Sequence, residues 1–384
     1  MFLNSLLKEN KSFVDACINL HKEGLILPDT YVIDVDQFIE NARNILNEAN
    51  KNNIDLYYML KQVGHNPYLG EKLEEIGYKG AVVVDQKEAD IIMKSNLHIC
   101  NAGHLVQISF AYLKKIMEYG CDYMTVYSKE KIQNINDVAK SLNIKQKLLI
   151  RVIGEDDVIY PGQTAGFKLD ELTDVINFVK KLDNVEISGL TSFPCFLFNK
   201  NSKTIEPQNN INTLMKAKKI LEDMGISSLN INAPSATCCS SISLMSKYGV
   251  TSAEPGHGLS GTTPLHAISK EIEKPCVLYL SEISHNYNGN SYVYGGGYYP
   301  RGHMKNALVV NNNKQEFCEF LTPSSENIDY YIALNKEYEV NDTVIAAFRF
   351  QIFVTRSNVC LLSGIKSNNP KIVGIYYSNG IKKI

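Results

Sequence analysis

The chain has 384 residues, 44% of them hydrophobic and 21% charged, which is long for one domain and enough to bury a large core. A net charge of -2 offers no basic field for a phosphate backbone, so nucleic acid is not an expected partner. Charge interrupts the N-terminal MFLNSLLKENKSFVDACINLHKEGL, and no window approaches 18 uncharged apolar residues, so neither a secretory leader nor a membrane span is expected. Nine cysteines without a CxxC pair fit a reduced, soluble, cytoplasmic protein, and the adjacent Cys238 and Cys239 read as packing.

Residues 1–29 read as a peripheral helical segment. YVIDVD then reads as a strand and QFIENARNILNEANKN as a helix with apolar residues at helical spacing. Eight further strand candidates follow: LYYML before Lys61, Gly80–Val84, His98–Ala102, Tyr123–Tyr127, Lys147–Ile153, Glu186–Phe193, Leu229–Ser235 and Thr251–Gly256. Helical stretches separate them, such as LGEKLEEIG, KEADIIMKS, HLVQISFAYLKKIMEYG and NTLMKAKKILEDMG, the last closed by Gly225. Near-continuous apolar strands with helical crossovers imply a parallel sheet covered on both sides, and eight units imply a (β/α)8 barrel over residues 30–270. From 271 to 384 the pattern changes to VLYLSEIS, SYVYGGGYY, ALVVNNN, YEVNDTVIAAFRFQIFVTRS and KIVGIYYSNG, which predicts an all-β domain.

In such a barrel the C-terminal ends of the strands surround the active site. Lys61 ends the first of them. A desolvated lysine is a nucleophile toward carbonyls, which makes Lys61 a Schiff-base candidate; a snorkelling lysine is the plainer alternative. NAPSATC and AEPGHGLSGTTP end the seventh and eighth strands with small, hydroxyl-bearing and glycine residues, where a phosphate is expected. Ser235, Gly256 and His257 are the residues expected around it. A strand-end lysine with a phosphate cradle points to pyridoxal 5'-phosphate. Glu254 adds a carboxylate able to hold the ring nitrogen protonated, a rim salt bridge being the alternative.

On MLKQVGHNP, SGLTSFPCF, AEPGHGLSGTTPLHA and GGGYYPRGHMKNALV the chain resembles the fold-type III pyridoxal-phosphate proteins, alanine racemase and its relatives, and within them the YhfX-like branch of amino-acid racemases. The resemblance implies that Lys61 carries the cofactor, and that YVIDVD joins the C-terminal β domain. It also implies a head-to-tail homodimer whose site is shared between one barrel and the partner's β domain. Some positions depart from alanine racemase itself. Glu254 stands where that enzyme has an arginine, as in the ornithine decarboxylase branch. Ser192 stands in place of a histidine, and Gln163 or Thr164 falls near the arginine that contacts the cofactor. A second acid/base is expected in YVYGGGYYPRGHMKN, with Tyr298 and His303 as candidates and Arg301 as a carboxylate binder. Arg349 lies where a late β-domain residue reaches the phosphate, and alternation places it with Gln351 on one strand face. His65 either lies near the cofactor or caps the next helix. The expected function is a pyridoxal-phosphate amino-acid racemase using Lys61 and Tyr298 or His303. A decarboxylase, a D-amino-acid lyase or a non-catalytic cofactor carrier are the alternatives. No metal is expected, since no HxH or paired carboxylates fall at the strand ends.

Overall fold

In chain order the computed structural model, which describes residues 2–311 and 314–383, runs α1 (Phe2–Glu9), α2 (Lys11–Lys22), β1 (Thr30–Asp34), α3 (Val35–Lys51) and β2 (Asp55–Tyr58). It continues α4 (Pro67–Glu75), β3 (Gly80–Val83), α5 (Gln86–Lys94), β4 (Ile99–Ala102), α6 (Phe110–Tyr119), β5 (Tyr123–Val126), α7 (Lys129–Ser141), β6 (Gln146–Arg151), α8 (Leu172–Val179) and β7 (Val185–Thr191). Then come β8 (Phe196–Asn199), β9 (Thr204–Pro207), α9 (Asn209–Asp223), β10 (Asn230–Asn232), α10 (Cys239–Lys247) and β11 (Ser252–Ala253). The remainder is β12 (Val277–Tyr287), β13 (Asn290–Tyr294), β14 (Asn306–Asn311), β15 (Lys314–Glu319), β16 (Tyr331–Ala333), β17 (Thr343–Ala346), β18 (Asn358–Ser363) and β19 (Lys371–Tyr377).

Contacts divide the chain into two compact units that interleave in sequence, unlike the linear division at 270/271. One holds Ile45–Leu60 and Gly70–Gly256. There β2, β3, β4, β5, β6, β7, β10 and β11 close into a parallel barrel, β11 pairing back with β2. All eight expected barrel strands are present. Strands such as GAVV and ICNA are buried at every position, because helices cover one face and the barrel interior the other. The helices start and stop where side chains satisfy their ends. Asp85 accepts from Lys87 N and Glu88 N ahead of α5, Ser128 caps α7, and Gly225 at φ +83° follows α9. Two expectations need correction. HLVQISFAYLKKIMEYG is helical only from Phe110, after an irregular stretch from His104. The β8–β9 hairpin, inserted after β7, was not foreseen at all.

The other unit holds Met1–Asn44, Lys61–Leu69 and His257–Ile384. Its nine-stranded sheet runs β15-β14-β17-β12-β1-β18-β19, with β13 joining β12 to β16. Strand β1 lies parallel to β18 and antiparallel to β12, so YVID belongs to this sheet as expected. Alternation gives the sheet two different faces. Val32, Leu278, Leu280, Ile345 and Cys360 meet Leu3, Leu6, Phe13, Val14 and Ile18 of α1 and α2. On the opposite face Tyr31 packs on Tyr279, Phe348 and Phe350 with ring centroids 5.1–6.2 Å apart. The N-terminal helices are therefore the lid of one sheet face. Each fully buried large apolar side chain there contributes roughly 1.5–3 kcal/mol. AFRFQIFVTR is not a strand throughout. The ladder of β17 ends at Ala346, and 347–351 lies in no strand. Among the described residues no helix is long and apolar enough to cross a membrane.

Candidate active site

Lys61 opens a short 3-10 turn, Lys61–Val63, just beyond β2, and is half-buried. The turn is followed by Gly64 at φ +70°, where a Cβ would press on Ser378 O, Ile352 and Val359. Only glycine fits that turn without strain. His65 is buried and stacks on Phe353 at 5.0 Å. It is Asn66, not His65, that caps α4, its Oδ1 accepting from Leu69 N.

His257 gathers polar contacts from Arg349, Gln351 and Thr262. Arg349 Nε donates to its Nε2 at 3.2 Å, and Gln351 Nε2 lies 3.4 Å from the same atom. Arginine can only donate, so Nε2 is the acceptor and Nδ1 carries the proton, which faces Thr262 Oγ1 at 3.1 Å. Burial, and then the positive groups Arg349, Lys61 and His266, hold the imidazole well below its usual range. His257 is therefore neutral at pH 7. Arg349 and Gln351 do share a face, as alternation predicts, although their segment is not a strand. An arginine donor beside a neutral imidazole suits a phosphate, whose oxygens accept what they donate. The donor set thus fits the phosphate end of the expected cofactor.

Tyr298 and His303 lie on the loop after β13. Three glycines precede Tyr298 for reasons of space: a Cβ would collide with the Asp329 carbonyl at Gly295, the Asp29 carboxylate at Gly296 and the Tyr279 ring at Gly297. Tyr31 donates to Gly297 O, and the Tyr298 and Gly296 backbones hydrogen-bond Asp329. Asp29 accepts from Tyr279 at 3.0 Å and from Ser357. Burial raises its pKa to about 6 against the lowering effect of those bonds and of Arg356. Tyr298 is half-buried, whereas Arg301 and His303 are exposed, His303 in left-handed backbone at φ 53°. Gly302 abuts Arg349 O, which ties this loop to the Arg349 segment.

In the barrel unit the strand ends carry buried polar groups. Glu254 directly follows β11 and is 6% exposed. Thr191 Oγ1 donates to Asn232 Oδ1 at 2.8 Å, and Asn232 Nδ2 to Ser252 Oγ at 3.2 Å, linking the ends of β7 and β10 to β11. Ser192 is buried, and its carbonyl accepts from Cys195 Sγ. Ser235 has its hydroxyl engaged with both Phe196 N and Phe196 O, so what it offers a ligand is its backbone N–H. Ser235 and Ala236 both have positive φ, 119° and 49°, ahead of α10. Strained turns of this kind gather at functional sites. Thr237 beside them has a buried hydroxyl with no hydrogen-bond partner among the described residues. Gln163 accepts through its carbonyl from Arg151 at 2.9 Å.

Sequence reasoning passed over Arg151 and His104. Arg151 is the last residue of β6 and is buried, donating to His104 O at 3.0 Å and lying over the Tyr127 ring at 5.6 Å. Burial lowers its pKa. The pattern that singles out Lys61, a cation ending an apolar strand, is equally present in KLLIR. His104 is buried beyond β4, edge-on to Phe193 at 5.7 Å.

Known proteins share this fold. The family profile "Alanine racemase, N-terminal domain" matches residues 33–264, and "YhfX-like, C-terminal domain" matches 278–372. "Uncharacterized protein YhfX" of Escherichia coli (strain K12) is 42% identical over 382 residues, covering 99% of each chain. D-threonine aldolase from Filomicrobium marinum superposes with a TM-score of 0.68 at 12% identity, covering 93% of this chain and 95% of that one. Alanine racemase of Clostridium difficile 630 gives 0.66 at 18%, covering 91% and 98%. Diaminopimelate decarboxylase from M. jannaschii gives 0.66 at 15%, covering 96% and 92%. At such identities these structures establish a common fold.

Proposed function

We propose, from the premise that this chain belongs to the alanine racemase family and is a YhfX-like member of it, that it is a pyridoxal-phosphate enzyme acting at the α-carbon of an amino acid, specifically an amino-acid racemase. The observation that carries the reading is at strand level. Strands β2 and β11 are paired neighbours; Lys61 follows the first and the buried Glu254 follows the second. A lysine and a buried carboxylate on adjacent strand ends suit the aldehyde and the ring nitrogen of a pyridoxal cofactor.

Bound pyridoxal phosphate would supply an electron sink for the pair left on the α-carbon when a bond there breaks. Lys61 would hold the cofactor through its ε-amine and would take or return the α-proton on one face. Glu254 would serve the ring nitrogen, its buried carboxylate favouring positive charge there. Arg349, the neutral His257, and the backbones of Gly256 and Ser235 serve the phosphate, with Ser192 and Gln163 as further cofactor contacts. Tyr298 or His303 exchanges the proton on the opposite face, supplied by the second copy in a homodimer. Tyr298 is favoured, because it is half-buried on an anchored loop while His303 is exposed. The amino-acid substrate would be a small soluble metabolite of the cytoplasm.

A second reading keeps the cofactor and changes the bond that breaks. Glu254 in place of an arginine supports it, as does the shared fold of a decarboxylase and an aldolase. A cofactor carrier is disfavoured by the elaborated second sheet. Borohydride reduction followed by peptide mass spectrometry is expected to find the cofactor on Lys61; an unmodified Lys61 overturns the reading. Incubation with an amino-acid panel in deuterated water is expected to place solvent deuterium at Cα of both enantiomers. Release of CO2, ammonia or an aldehyde instead selects the second reading.

A further inference from the structure

The opposite end of the barrel carries a cluster that this chemistry leaves unused. His98 immediately precedes β4, Cys100 lies within β4, and Asp122 immediately precedes β5. One ligating atom from each lies within 4.8 Å of the other two. His98 Nε2 is 2.8 Å from Asp122 Oδ2, and Cys100 hydrogen-bonds the same carboxylate. A tetrahedral zinc ion with bonds of about 2.0–2.3 Å holds its ligand atoms roughly 3.3–3.8 Å apart. The 2.8 Å contact of His98 with Asp122 would open by about 0.5 Å, and the other separations, all within 4.8 Å, would draw in by at most about 1 Å.

The position is built rather than accidental. Glu74 accepts from His98 N at 2.9 Å and from Tyr58 Oη at 2.7 Å, which fixes the His98 backbone. Asp122 N donates to Ile99 O at 3.1 Å, locking Asp122 beside β4. On the far side Gly80 leaves the space open. A Cβ there would fall 2.8 Å from His98 Cδ2 and 2.9 Å from Cys100 Sγ. His98 and Asp122 face solvent, 47% and 46% exposed, so an ion has a path in, while Cys100 is buried beneath them.

We propose that His98, Cys100 and Asp122 form a divalent transition-metal site, with zinc the ion that best matches one imidazole, one thiolate and one carboxylate. The fourth position is left to water. On binding, a metal–sulfur bond replaces the Cys100 S–H bond and that proton passes to solvent; His98 contributes a neutral nitrogen. At this end of a barrel, such an ion serves stability, cross-linking β4 and β5.

Full-length protein stripped with a chelator and titrated with Co2+ tests the site. A stoichiometric complex with thiolate-to-cobalt charge-transfer absorption is expected, displaced by Zn2+, with a higher Tm for the zinc form. His98→Ala and Asp122→Asn change exposed side chains and leave the fold intact; each is expected to weaken binding by about tenfold or more. Cys100→Ser is expected to abolish the charge-transfer band. No stoichiometric uptake, a complex without that band, or uptake unchanged in His98→Ala and Asp122→Asn would each overturn the site.

Discussion

The two ends of the barrel are made of different chemistry. At the N-terminal ends of the strands, charges stand in water and in pairs: Asp55 with Lys79 at 3.5 Å and Lys145 with Glu186 at 3.4 Å. At the C-terminal ends Asn101, His104, Arg151, Thr191, Asn232 and Glu254 are all buried. Exposed pairs cost little to make and contribute little, whereas every buried polar group carries a desolvation penalty that hydrogen bonds only partly offset. A fold has no reason of its own to gather such penalties at one end. The asymmetry is what the proposed cofactor site at the C-terminal end would account for, and substitutions at each end test how far it goes.

The largest effect is expected at Glu254. Glu254→Gln keeps the volume and removes the charge, so it is expected to lower kcat by about 10²–10³-fold, or roughly 3–4 kcal/mol in the barrier, while cofactor remains bound. Absorbance of the purified variant and turnover of whichever amino acid proves to be the substrate check both halves. Unchanged turnover would reduce Glu254 to a rim carboxylate and remove the strongest member of the contrast.

Next comes Asp29, which extends the contrast to the other compact unit. Its pKa of about 6 in the folded protein lies above the value of about 3.9 usual for an unfolded chain. The folded state therefore binds the proton more readily. The penalty for the charge is fully present above pH 6 and is relieved as pH falls toward 4. The gap amounts to at most about 3 kcal/mol, less where water reaches the carboxylate. Asp29→Asn still accepts from Tyr279 and Ser357 but cannot ionise. Urea unfolding at pH 7 and pH 5 is expected to show the wild type gaining stability relative to the variant on acidification; a constant difference would contradict the assignment.

Thr191→Val follows, with an expected loss of about 1–2 kcal/mol. It leaves Asn232 Oδ1 without its donor in a dry position, and valine has nearly the same shape, so packing contributes little. A Tm unchanged in this variant would mean that the strand-end network is wetter than its burial indicates.

What the sequence made legible follows the same physics. The eight barrel strands stood out because apolar runs bounded by helical periodicity leave few alternatives, and Lys61 and Glu254 stood out as charges interrupting those runs. Arg151 carried the same mark and was passed over. Other features had no local mark. Arg349 and His257 meet across 92 residues of sequence, and no periodicity announces such a contact. Residues 347–351 alternate like a strand yet have no ladder, because pattern reports which side faces inward and not whether a neighbour is present. The β8–β9 hairpin is short and half-exposed, so its pattern is weak. Helices α1 and α2 are visibly amphipathic, but the sheet face that they cover is assembled from β1, β12, β14, β17 and β18, far apart in the chain.

The smallest effect is expected at the N-terminal end, in the Lys79–Asp55 pair, whose side chains are 58% and 57% exposed. Lys79→Ala is expected to shift stability by no more than about 0.5 kcal/mol, and by less at high salt, because two solvated charges gain little over their separate hydration. A double-mutant cycle with Asp55→Ala isolates the pair from the loss of the lysine stem. A coupling well above 1 kcal/mol would mean that this end, too, holds its charges in a low-dielectric setting. The contrast between the ends would then be one of degree. A near-zero coupling leaves the buried Cys100, beneath the exposed pair of His98 and Asp122, as what sets that cluster apart from the other pairs at this end.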